Sequence, residues 1–176
     1  MLACSLDNWT PSNVAERQHV EDVRHYAKTI RRGFLILLGP VGVGKSHLAV
    51  GVVRHFKDRG NVFVKQSALL LRQLRAIYDD RDADDPIKKC QAAPLLVLDE
   101  MGLSGGGKDE LPMLSEILSY RYEQEKPTVI TSNLSWDELQ DELGDRLSDR
   151  MREAAYKVLV FSGPSHRSER REAYFA

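Results

Sequence analysis

Residues 39–46 read GPVGVGKS, which fits GxxxxGK[ST]: glycines that let the chain curl, then a lysine and a hydroxyl where a helix opens. A loop of this kind points successive backbone N–H groups inward, and the helix N-terminus adds partial positive charge, so the pattern suits a row of phosphates. Lys45 would reach the β- and γ-phosphates of ATP and Ser46 would hold Mg2+, while Gly39, Pro40, Val41, Gly42, Val43, Gly44 and His47 would frame the nucleotide. From average residue usage the bare pattern arises by accident in on the order of one per cent of chains this long. Its competing reading is a glycine turn with a solvated lysine.

Two further stretches end in polar residues after an apolar run. LLVLDE, Leu95 to Glu100, closes on two acids. Carboxyl ends of parallel strands line the ligand crevice of open α/β sheets, which brings Asp99 beside the first loop if strands one and three are near neighbours. Asp99 then suits the magnesium shell, and Glu100, one residue on, suits polarising a water aimed at the γ-phosphate. Taken alone, these acids are also what a solvated strand end carries. VITSN, Val129 to Asn133, offers an amide with a donor and an acceptor for that water or phosphate. Ser132, Asn133 and Ser135 all precede a helical stretch, so a helix cap is the alternative. Downstream come Arg146, Arg150 and Arg152, then Arg167, Arg170 and Arg171. Arg146 and Arg150 share a helical face. Such arginines are usually solvated surface, but one presented to a neighbouring subunit's γ-phosphate would stabilise transition-state charge.

Strands alternating with helices must position these groups. Residues 14–31 place Val20, Val23, Ala27 and Ile30 at helical spacing. FLILL, Phe34 to Leu38, is a strand buried on both faces, and residues 45–58 carry Leu48, Val52 and Phe56 on one helical face ending near Gly60. Val62 to Lys65 predicts a second strand, and Ser67 a helix with Leu70, Leu71, Leu74 and Ile77. After an acidic loop, Asp79 to Asp85, come a strand at 95–98 and a helix at 111–124 with Leu114, Ile117, Leu118 and Tyr122 inward. A strand at 128–131, two short helices after Ser135 and near Asp145, and a strand at 158–161 complete the series. Helical crossovers of this length imply parallel pairing and right-handed connections. The expected fold is α/β, a three-layer sandwich in one domain over residues 1–176 with a five-stranded parallel sheet.

Composition limits the rest. The chain has 176 residues, 25 Lys and Arg against 26 Asp and Glu, a net charge of −1, 42% hydrophobic and 29% charged residues. That is ordinary globular composition, so disorder and a polyanion-coating basic protein are disfavoured, and any nucleic-acid contact must come from a local patch. No apolar run approaches the roughly 20 residues needed to span a bilayer, and the N-terminal stretch lacks a secretory pattern, so the cytoplasm is expected. Cys4 and Cys90 are the only cysteines, with no CxxC or Cys/His cluster, so neither a disulfide scaffold nor a structural zinc site is indicated.

The succession GPVGVGKSHLA, LLVLDE, TSN, LGDRLSDRM and SHRSER resembles the AAA+ ATPases of the DnaC/DnaI helicase-loader group, with the IstB transposition helpers as cousins. The resemblance runs from Ser5 to Arg171; its loop and strand motifs are widely shared, whereas LGDRLSDRM with SHRSER is more discriminating. It implies a P-loop sheet in the order 5-1-4-3-2 with little or no C-terminal lid. It also implies that Asn133 is sensor one, Arg150 the arginine finger acting in trans, with Arg146 a second candidate, and Arg167 the sensor-two arginine acting in cis. By the same resemblance Leu6 to Trp9 lies near the adenine, the chain self-associates with ATP or ADP, and pore-facing loops touch single-stranded DNA. A replicative helicase is the implied client. Loaders usually grip it through an N-terminal extension, whereas the motif-bearing core here starts almost at Met1, so a naturally minimal form, a piece of a longer chain or a different recruitment is expected. The glycine-rich insert Gly102 to Lys108 is either a DNA-facing loop or a plain connector. The rival functions are a transposition helper acting on duplex DNA and a small-molecule P-loop kinase.

Overall fold

The computed structural model describes residues 5–7, 9, 11, 13–29, 32–56, 62–65, 86–102, 110–163 and 165–166. In chain order its elements are α1 (Val14–Lys28), β1 (Phe34–Leu38), α2 (Lys45–His55), β2 (Val62–Lys65), α3 (Pro86–Ala92) and β3 (Leu96–Asp99). There follow α4 (Glu110–Glu123), β4 (Thr128–Ser132), α5 (Trp136–Leu143), α6 (Asp145–Glu153) and β5 (Ala155–Val160). The five strands form one sheet in the order β2-β3-β4-β1-β5, every neighbouring pair parallel. This is the expected 5-1-4-3-2 order.

Period-two alternation explains the three layers. Leu35 and Leu37 of β1, Val97 of β3 and Val129 of β4 pack with Val20, Val23 and Tyr26 of α1 and Leu48 and Val52 of α2. Phe34, Ile36 and Leu38, with Leu96, Leu98 and Ile130, face the other way onto α3, α4, α5 and α6 through Ile87, Leu114, Ile117, Leu139, Leu147 and Met151. All five side chains of β1 are buried, so the strand feeds both cores at once. Each such side chain contributes about 1.5–3 kcal/mol, more than an exposed ion pair supplies.

Several boundaries differ from expectation. α1 ends at Lys28 and α2 at His55, where the Phe56 N–H bonds to the carbonyls of Val52 and Val53. β3 runs one residue later than expected, so Asp99 belongs to the ladder, opposite Lys65. β5 starts at Ala155 rather than 158; it is an edge strand with an exposed Lys157, and the half-polar start hides it from an apolar-run reading. α3 was not expected: Pro86 stands at its first turn and Ile87 and Cys90 are buried on one face. The helix expected after Ser67, the loop Asp79 to Asp85, Cys4, Ile30, Gly60, Arg170 and Arg171 lie outside the described residues.

The inward face of α4 holds a surprise. Tyr122 is only half-buried, with its hydroxyl on Glu153, whereas its neighbour Arg121 is completely buried. The Arg121 guanidinium donates to the carbonyls of Cys90, Ala93 and Pro127 and to the Thr128 hydroxyl at 2.6–2.9 Å, tying the end of α3 to the start of β4. Burial lowers its pKa to about 10 and, although Arg121 opposes it, raises that of the Cys90 thiol to about 11. Among the described residues no helix is long and apolar enough to cross a membrane.

Candidate functional site

The site is built at the carboxyl ends of β1, β3 and β4. After Leu38 the chain turns through the glycine loop and enters α2 at Lys45, with Gly44 at the N-cap and no side chain capping the helix. Gly42 and Gly44 have φ of +91° and +95°, the region where side chains are strained, and space is closed as well. A Cβ on Gly44 would overlap the ring of Trp9, and one on Gly42 would overlap Ser165. Trp9 also lies edge-on to His47 and His166, 5.0 Å from each ring centre. The His166 N–H bonds to the Gly42 carbonyl at 3.1 Å, while its ring meets Glu16 at 3.0 Å. The N-terminal lead and the segment after β5 therefore both rest on the loop.

Within the loop, the Lys45 ammonium donates to the carbonyls of Gly39 (2.5 Å) and Pro40 (2.8 Å) and to Oδ1 of Asn133 (3.0 Å). The Ser46 hydroxyl donates to Oδ1 of Asp99 at 2.8 Å. Asn133 is thus turned to the loop, and the cap of α5 is Ser135, which makes a reciprocal capping box with Glu138. Asp99 is 1% exposed, and its Oδ2 has no hydrogen-bond partner among the described residues. A buried carboxylate oxygen left unpaired is costly unless something positive joins it. One hydroxyl and one carboxylate, all oxygen, fit Mg2+, which binds through few protein oxygens together with substrate phosphates. Glu100 follows with φ +58°, a left-handed conformation costing about 1–3 kcal/mol in a non-glycine residue. That turn carries it out of the strand line Asp99 follows.

A family model described as "IstB-like ATP binding protein" matches residues 6–173. The chain belongs to this family. Among curated relatives, the replicative helicase loader DnaI of Bacillus subtilis is 28% identical over 143 residues, covering 77% of this chain and 44% of that protein. The putative ATP-binding protein of insertion sequence IS232 from Bacillus thuringiensis is 32% identical over 110 residues, covering 60% of this chain and 43% of that one. The chain thus spans less than half the length of either relative. A crystal structure of the DnaC helicase loader superposes with a TM-score of 0.80 at 27% identity, covering 90% of this chain and 97% of that one. The sheet is of the AAA+ type, and the glycine loop lies within the residues that the family model matches.

Not every expected residue joins the site. Lys45, Ser46, Asp99 and Asn133 come together, with Glu100 beside them; Val43 is buried under the loop, Val41 is exposed, and His47 is turned to Trp9 and the Ser5 carbonyl. Arg150 lies elsewhere in the fold, donating to Ser119 at 2.6 Å and lying over the ring of Tyr122. Arg146 is exposed on the same helix. Arg167 and positions 103–108 of the insert lie outside the described residues. Sequence reasoning passed over Thr131, although its place two residues before Asn133 puts it on the face that Asp99 shares.

Proposed function

We propose that residues 1–176 act as one AAA+ domain that binds ATP with Mg2+ and hydrolyses it, in the cytoplasm, and that assembles on single-stranded DNA during replication in the service of helicase loading. The observation that carries this reading is the convergence of Lys45, Ser46, Asp99 and Asn133 at the carboxyl ends of three adjacent strands. Lys45 holds its three donors on oxygens that a triphosphate can replace, so binding exchanges one set of acceptors for another. That exchange frees Oδ1 of Asn133 for the attacking water. Ser46 and Asp99 would hold the magnesium, which supplies charge neutralisation on the phosphates. Glu100 accepts the proton of that water as it attacks the γ-phosphorus, and the bond to the β–γ bridging oxygen breaks to release ADP and inorganic phosphate.

Arg150 of a neighbouring subunit, with Arg146 as the alternate, completes the site by stabilising the charge on the transferring phosphoryl group, and Arg167 acts from its own chain. Support for the replicative role comes from the similarity to DnaI and DnaC. The likeness to the IS232 protein favours a second reading, a transposition helper that acts on duplex DNA. Phosphate released from ATP without an acceptor, together with tighter binding of single- than double-stranded DNA at one stated salt concentration, is the expected result. Preference for duplex would favour the second reading, and phosphoryl transfer to a nucleoside monophosphate would mean a kinase.

A further inference from the structure

β4 carries a polar residue that the mechanism above leaves unused. Thr131 is fully buried, two positions before Asn133. The register of β3 and β4 pairs Leu98 with Ile130, so the next step along both strands sets Asp99 against Thr131. A hydroxyl has one proton to give and lone pairs to accept with. Here the proton goes to Oδ1 of Asp99 at 2.7 Å, and a lone pair receives the backbone N–H of Glu100 at 2.9 Å. The Thr131 carbonyl accepts from the Met101 N–H at 2.7 Å, and the Ser132 hydroxyl donates to the Met101 carbonyl at 2.6 Å. The end of β4 therefore grips three consecutive residues of the acid corner.

The consequence falls on both acids. With Thr131 and Ser46 both donating to Oδ1 of Asp99, Oδ2 is the oxygen left over. At Glu100 the hydroxyl holds the N–H of a residue in a left-handed turn, one step past the end of β3. We propose that Thr131 is a positioning residue for the hydrolytic site, aiming Oδ2 of Asp99 at the magnesium position and fixing the turn that presents Glu100. This rests on the reading of Asp99 and Glu100 given above. If Ser46 turns its oxygen to the cation, Thr131 remains as the hydrogen bond that holds Asp99.

The test compares Thr131→Val, which keeps the shape and removes the hydroxyl, with Thr131→Ser, which keeps the hydroxyl. Mn2+ binding to the full chain, read by electron paramagnetic resonance with a non-hydrolysable ATP analogue present, needs no turnover. Thr131→Val weakens Mn2+ roughly tenfold and lowers kcat roughly tenfold or more with KM for ATP changed less than about threefold, while Thr131→Ser stays within about threefold of wild type in both. Wild-type Mn2+ affinity in Thr131→Val, or an equal loss in Thr131→Ser, overturns the proposal. Should the valine variant not fold, Thr131→Ala against Thr131→Ser asks the same question, alanine losing what serine keeps. Glu100→Gln is run alongside. If it hydrolyses ATP as wild type does, the reading of Glu100 fails, and the Mn2+ titration still decides Thr131.

Discussion

At the scale of single residues, chemistry and position are set separately. GPVGVGKS and the acids of LLVLDE are legible because the function proposed for them would demand particular side chains at fixed spacing. Their partners are less so. Asn133 had two readings from sequence, amide for the site or helix cap, and only the fold shows Lys45 donating to it while Ser135 caps α5. Thr131 went unnoticed because a threonine in a strand is ordinary, and its meaning depends on which strand lies beside it. For Glu100 the expectation is separable binding and turnover. Glu100→Gln retains affinity for Mg·ATP within about threefold and loses phosphate release by roughly a hundredfold or more, as measured by equilibrium titration and a phosphate assay. Equal loss of binding and turnover would contradict the role given to this acid.

Elements show where pattern reasoning succeeds and where it fails. β1 and α2 are read directly from a continuous apolar run and from four-residue spacing, since burial on both faces or on one face leaves no alternative period. The first half of β5 and the whole of α3 escape because an edge strand tolerates Lys157 and a seven-residue helix gives little periodicity. Arg121 escapes because no pattern announces a buried guanidinium that gathers carbonyls from α3 and the strand entry. Arg121→Met leaves those acceptors unpaired, costing about 3 kcal/mol or more, and lowers the melting temperature on the order of 10 °C. A variant melting with the wild type would remove Arg121 from this account. α1 adds a pH dependence. Burial, opposed by Asp22 and Glu16, lowers the pKa of His19, whose ring lies edge-on to Phe161. The unfolded chain then takes up the proton more readily, so His19 contributes stability above the ordinary histidine value that is lost as the pH falls through its folded value. Thermal melts between about pH 8 and 5 should fall toward acid, less steeply in His19→Gln; an unchanged slope in that variant would contradict the assignment.

The whole molecule brings the carboxyl ends of its strands to one rim, and the parallel order follows from crossovers long enough to hold helices. That much was legible, and the family resemblance implied the central place of β1 between β4 and β5. The role proposed for Arg150 is not legible in one chain, because a residue that served a neighbouring copy would have no partner site in its own chain to identify it. Arg150 contacts Ser119 and Tyr122 rather than the loop. Arg150→Ala is expected to bind ATP as wild type does and to lose most of the rise in turnover with protein concentration, roughly tenfold or more. Wild-type turnover at high concentration would refute its action in trans. The central claim, that the loop after β1 holds a triphosphate, is tested most directly by titrating the wild-type chain and Lys45→Ala with a fluorescent non-hydrolysable ATP analogue in magnesium buffer. The account predicts saturable binding by the wild type, weakened roughly a hundredfold or more in Lys45→Ala. Equal affinity in the two proteins would contradict it.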